Sequence, residues 1–247
     1  MLVTIIVLSV ILVLAIGIII LNAMTTSKKI DEAYKKGGND LFAAILANGW
    51  EKKVNDFKEY NKYVKKGGIV FVGDSLTDNY NVYEYYKGLE VYNRGIGGDT
   101  TEGLLRRMDE SIFDLEPSKI VLLIGINDFE LVKDSTPNTI YQNILKIISL
   151  IKERLPEAEI ILESLYPVNK SEDKKIDIAS VINKDNEKIK EVNNLIKDIK
   201  GITYVDMYSK LVDEKGMLNI DYTMEGLHVN SFGYHVVTKE IRNILEK

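Results

Sequence analysis

The chain reads as an α/β protein, a parallel sheet covered by helices on both faces. Two observations predict it. Short apolar, β-branched runs recur at 68–72, 90–92, 119–124, 159–164 and 202–205, each the length of a buried strand. Helical patterns stand between them, and strands alternating with helices build parallel sheets through right-handed crossovers.

The first element is of another kind. Residues 2–21 are apolar or uncharged throughout, from Leu2 to Leu21, and about 20 such residues suffice to cross a bilayer as a helix. A cleaved signal peptide is the rival reading. Against it, no basic residue precedes the run, the run exceeds the usual ~7–15-residue apolar region, and Leu21-Asn22-Ala23 is a poor cleavage site. The sequence therefore predicts a transmembrane anchor over 1–23. Lys28, Lys29, Lys35 and Lys36 all follow it and no Lys or Arg precedes it, which by the positive-inside rule favours placing the main domain on the cytoplasmic side of a single-pass protein of the cell membrane.

A helical juxtamembrane segment is expected over 24–66, where Trp50, Val54, Phe57 and Tyr60 recur at helical intervals. It would pack on the domain or hold it off the bilayer as a stalk. The main domain spans 67–247, enough for one full α/β core. Strand 68–72 opens it. A strand near 90–92 leads to a helix from about Thr101 to Asp109, and strand 119–124 to a helix announced by Thr136-Pro137, a cap followed by the residue best suited to the first helical turn. Ile140, Ile144, Ile147, Ile148, Ile151 and Leu155 mark that helix's apolar face. Strand 159–164 precedes a long polar segment and a helix ending near Lys200. Strand 202–205 and a final helix from Ser231 complete the series.

Chemistry concentrates where strands end. Gly73-Asp74-Ser75-Leu76-Thr77 follows the first strand, and the carboxyl ends of strands are where open α/β sheets place ligands. Serine there can act as a nucleophile if a base and an oxyanion site are supplied. The chain has two histidines. His228 lies three residues after Glu225, a spacing that lets the carboxylate reach Nδ1 and leaves Nε2 free to take the serine proton. Asp221 is a poorer substitute for that acid. His235, after Gly233-Tyr234, reads as a surface residue. The turn from Gly95 to Thr101 is glycine-rich, so its amides can point at an anion; alone it could equally be a phosphate cradle or an ordinary βα turn. Gly125-Ile126-Asn127-Asp128 ends another strand with a side-chain amide donor, and such donors serve tetrahedral oxyanions.

In this order the pieces resemble the SGNH (GDSL-type) hydrolases, esterases and lipases, from about Gly68 to the C-terminus. The turn from Asn93 to Thr101 is most similar to the platelet-activating-factor acetylhydrolase-like and related bacterial branches. The resemblance implies a three-layer α/β/α fold with a five-stranded parallel, flavodoxin-like sheet. It also implies Ser75 as nucleophile, His228 as catalytic histidine, and an oxyanion hole of Ser75, Gly98 and Asn127. The family usually carries Asp where this chain has Glu225, a side chain one methylene longer. The implied reaction is hydrolysis of carboxylic esters, acyl or acetyl esters of lipids or sugars, through an acyl-enzyme. No cofactor or metal is expected; Asp74, Asp99 and Asp128 with His228 form the alternative, metal-binding set.

Two further readings stay open. Tyr80, Tyr83, Tyr85 and Tyr86 follow the nucleophile closely and either line a substrate pocket or pack the core. A non-catalytic lipid- or glycan-binding module on the same fold is the alternative function. A net charge of −5 gives no reason to expect a nucleic-acid partner, and the absence of cysteine excludes a disulfide framework. Expected partners are the small ester substrate and the membrane; nothing in the sequence sets the oligomeric state.

Overall fold

The computed structural model describes residues 2–246, with side chains from Ile16 onward apart from those of Ile19, Ala23, Lys35, Asn39 and Phe42. The chain divides into two compact units, 1–48 and 49–247. Helix α1 runs over Leu2–Tyr60, one element where the sequence suggested an anchor followed by one or two helices. In the first unit the large apolar side chains of Ile16, Ile18, Ile20, Leu21 and Met24 are exposed. Among the described residues no helix is long and apolar enough to cross a membrane; most side chains of the span expected over 2–21 lie outside the described residues.

The second unit is a three-layer α/β/α structure. Its strands are β1 (Ile69–Gly73), β2 (Val91–Gly95), β3 (Lys119–Leu123), β4 (Glu159–Glu163) and β5 (Thr203–Val205). They form a sheet in the order β2-β1-β3-β4-β5, parallel throughout. The helices after β1 are α2 (Ser75–Asp78) and α3 (Val82–Tyr85); after β2 come α4 (Thr101–Arg106) and α5 (Met108–Ser111). After β3 stand α6 (Asp128–Leu131) and α7 (Pro137–Arg154), after β4 α8 (Ile178–Val181) and α9 (Asn186–Ile196), and after β5 α10 (Tyr208–Leu211) and α11 (Ser231–Leu245).

Helix α7 starts as its sequence dictates. Thr136 and Thr139 cap each other's backbone and Pro137 occupies the first turn, where its missing N–H costs no hydrogen bond. Its isoleucines at 140, 144, 147, 148 and 151 are buried, and α4, α7 and α9 pack together in one layer. On the other side Phe71 of β1 meets the rings of Tyr80 and Tyr86, and Tyr80 stacks on Tyr234 of α11 at 4.6 Å. Tyr80 and Tyr86 are thus core residues, while Tyr83 is exposed.

The helix expected over 101–109 is broken. Arg107 leaves helical geometry at φ −121°, ψ 18°, and its guanidinium turns inward, fully buried. The hydrogen bonds it gains there outweigh continuity of a short helix.

Register is what positions the site. Gly73 pairs with Gly95 on one side and with Leu123 on the other. The loops after β1, β2 and β3 therefore leave the sheet side by side at the same level, at the carboxyl ends where the strand order reverses, the usual ligand position in such sheets.

Candidate active site

Ser75 opens α2 directly beyond β1. The helix sits tightly on the strand ends: a Cβ on Gly73 would lie 2.4 Å from Thr77 Oγ1, and one on Gly95 2.1 Å from the Asp78 nitrogen. Only glycine allows that approach. Asp74 caps the helix, its Oδ1 accepting from the Leu76 N–H at 2.9 Å. Asp74 is fully buried, and burial pushes its carboxyl up to about 7 against the opposing effect of that N–H.

The base comes from the other end of the chain. His228 Nε2 lies 2.9 Å from Ser75 Oγ, and Nδ1 lies 2.6 Å from Glu225 Oε1. The same carboxylate oxygen accepts the backbone N–H of His228 at 3.0 Å. Burial of Glu225 favours its neutral form, yet the hydrogen bonds from the His228 ring and backbone outweigh it and hold the carboxyl below its ordinary value. With Glu225 ionised, Nδ1 carries the proton and Nε2 is the acceptor facing serine. The extra methylene of glutamate is absorbed in a tight turn: Gly226 takes φ +110°, and Thr223 Oγ1 donates to the His228 carbonyl while accepting from the Gly226 N–H. Asn169 braces the turn from beyond β4, its N–H donating to the Gly226 carbonyl at 2.8 Å. Asp221 is exposed and its backbone carbonyl takes the Asn230 amide; His235 is exposed on α11.

Opposite stand the amide donors. Gly98 takes φ +73°, and Asn127 follows β3, buried. One hydrogen of the Asn127 amide goes to the Asp99 carbonyl at 3.0 Å, which leaves its second hydrogen for another acceptor. Among the described residues no acceptor meets the backbone N–H of Ser75 or of Gly98. Among the described residues these donors are thus unspent, as the donors to a tetrahedral oxyanion must be.

A buried ion pair fixes this side. Arg107 donates from Nε to Asp99 Oδ2 at 2.7 Å, and from its terminal nitrogens to the carbonyls of Arg94 and Gly73 and to Ser111 Oγ. One guanidinium thus ties the ends of β1 and β2 to the Gly98-Asp99 turn. Asp128 accepts from the backbone N–H and the hydroxyl of Thr101, and burial pushes its carboxyl up to about 6. Asp74, Asp99 and Asp128 of the alternative metal set each accept hydrogen bonds from protein donors, and among the described residues no group of three or more His, Cys, Asp or Glu side chains is arranged to hold a metal ion. The sequence did not single out Arg107 or Asn169; an arginine in Leu104-Leu105-Arg106-Arg107 reads as solvated helix surface, and nothing local marks it as buried.

Comparison with known proteins decides the family. The GDSL-like lipase/acylhydrolase family matches residues 71–236. The chain belongs to this family. Among curated relatives, platelet-activating factor acetylhydrolase IB subunit alpha2 of Homo sapiens is 26% identical over 201 residues, 76% of this chain and 82% of the relative. A solved structure from Streptococcus pneumonia, provisionally assigned to platelet activating factor, is 31% identical, covers 83% of this chain and 97% of its own, and superposes with a TM-score of 0.76. A Bacteroides fragilis structure provisionally assigned as an acylhydrolase is 27% identical, covering 76% of this chain and 93% of its own with a TM-score of 0.67. The acylhydrolase described here is accordingly a carboxylic ester hydrolase.

Proposed function

We propose that this acylhydrolase is a serine esterase working through an acyl-enzyme, with Ser75 as nucleophile, His228 as general base and acid, and Glu225 as the group that orients the imidazole. One observation carries the reading: the unbroken chain of hydrogen bonds from Ser75 Oγ through the His228 ring to Glu225. In the first step His228 takes the Ser75 proton as Oγ attacks the ester carbonyl, and the N–H groups of Ser75 and Gly98 with the Asn127 amide hold the resulting oxyanion. His228 then protonates the leaving alcohol, and water repeats the sequence to release the acid. The substrates are acyl or acetyl esters of lipids or sugars, in keeping with the acetylhydrolase relatives.

A fluorophosphonate probe tests this directly. Wild-type protein should be labelled and Ser75→Ala should not; labelling of Ser75→Ala, or none of wild type, overturns the assignment and favours a binding module on the same fold. p-Nitrophenyl esters of increasing chain length then separate acetyl from long-acyl preference.

The protein is further proposed to be held at a membrane by residues 1–23, a reading supported by the uncharged run from Leu2 to Leu21 and its length. The lysines that follow favour a catalytic domain on the cytoplasmic side. Because the chain has no cysteine, a single cysteine introduced at exposed Tyr63 can be probed with a membrane-impermeant maleimide. Labelling in intact cells overturns that topology.

A further inference from the structure

We propose that the last turns of α1, from Gly49 to Tyr60, are a positioning element of the active site, acting through Trp50 and Lys53 on the turn that carries Gly98. The inference rests on the acyl-transfer reading above.

Trp50 Nε1 donates to Asp99 Oδ1 at 3.0 Å, the oxygen left over when Arg107 takes Oδ2. Asp99 lies between two of the three candidate oxyanion donors: it follows Gly98 in the chain, and its carbonyl receives the Asn127 amide. Space is reserved for this carboxylate, since a Cβ on Gly103 would sit 1.8 Å from Asp99 Oδ1. Lys53 reaches the same turn by a second route. Its Nζ pairs with Asp78 Oδ1 at 2.6 Å, and Asp78 Oδ2 accepts the Gly97 N–H at 3.2 Å.

The segment is itself firmly seated. Phe57 is 4% exposed with the Arg94 guanidinium 4.9 Å from its ring centroid, and Asn61 just beyond α1 accepts from Arg94 while donating to the Glu110 carbonyl. Two polar tips of one docked helix therefore converge on Gly97, Gly98 and Asp99. A displacement of about an ångström in such a group costs up to ~10² in rate, so modest loosening of this turn acts on the transition state more than on substrate binding.

The test uses the full chain and a p-nitrophenyl ester. Trp50→Phe keeps the ring and removes only the donor; Lys53→Gln removes the cation at a half-exposed position. Each should lower kcat by ~3- to 10-fold, the double variant by more, with KM changed less than about twofold and fluorophosphonate inactivation slowed in proportion. Lys52→Gln, which removes an exposed ion pair with Asp56 on the same helix and leaves the bonds to Asp99 and Asp78 in place, should leave kcat unchanged. An unaltered kcat in the double variant, a rise in KM alone, or an equal kcat loss in Lys52→Gln overturns the inference. Ser75→Ala keeps the two readings apart: turnover surviving that change sinks the acyl-transfer assignment itself, whereas the other results touch only the role of α1.

Discussion

In the proposed mechanism the reacting groups on the Ser75–His228–Glu225 side hold one another, whereas the donors on the Gly98–Asn127 side are held through Asp99 and the residues that grip it. Serine, imidazole and carboxylate are linked directly at 2.9 and 2.6 Å. The amides opposite keep hydrogens free, and their placement comes from Asp99, itself gripped by Arg107 and Trp50. The contrast follows from what each side must do. A proton relay has to move between its own members, so they must touch; an oxyanion site must be fixed before charge develops, with its donors unspent. The relay is therefore sensitive to its own three side chains, and the anion site to a wider shell.

The largest effect is expected from breaking the relay at its centre. His228→Ala should lower kcat by ~10⁴ or more with little change in KM, leaving the residual rate that the anion site alone supports. A loss under about tenfold would mean that another group removes the serine proton.

Asn127→Ala probes the other side. It deletes one donor and also frees the Asp99 carbonyl, so kcat should fall by ~10²–10³ with KM nearly unchanged. Combined with Trp50→Phe, the losses should be less than multiplicative, because both act on the same turn. Combined with Glu225→Ala they should multiply, since those residues lie on opposite sides. Reversed behaviour of the two double variants would erase the division drawn above.

Glu225 sharpens the comparison from the relay side. Glu225→Ala should cost ~10² or more in kcat, and Glu225→Asp should keep most of the activity, since the turn around Gly226 can bring a shorter carboxylate to Nδ1. Activity of Glu225→Ala equal to wild type would remove the acid from the relay.

The same contrast explains what the sequence discloses. Strand and helix positions were legible because burial imposes period and length on local runs: β3 and β4 begin where expected, and the apolar face of α7 lies on the isoleucines that marked it. Ser75 stands in a short motif at a strand end, and Glu225 and His228 are three residues apart, so the relay's chemistry shows in local spacing. The support of the anion site does not. Trp50, Arg107 and Asp99 meet across loops and a helix break, and Asn169 reaches the base loop from beyond β4. No local pattern distinguishes a buried, fully bonded arginine from a solvated one, nor a tyrosine stacked in the core, such as Tyr80, from one lining a pocket.

The smallest effect separates the buried acids beneath the two sides. Asp99 has the Arg107 cation. Glu163, at the end of β4, has among the described residues the Tyr166 hydroxyl at 2.6 Å and no cation, and burial, opposed by that hydrogen bond, pushes its carboxyl up to about 7 from 4.5. A raised value means the folded state holds this proton where the unfolded chain releases it. The stabilising effect is complete below the ordinary value and disappears as pH climbs through about 7. Over that window the group should account for on the order of 2–3 kcal/mol of lost unfolding free energy. Glu163→Gln keeps an acceptor for Tyr166 and cannot titrate, so urea unfolding measured from acid to neutral pH should show a shallower decline than wild type. Some slope should persist from Asp74, whose carboxyl burial likewise raises. Identical slopes in the two proteins would show that Glu163 keeps its charge in the fold, and that the acids under the relay are as well compensated as Asp99.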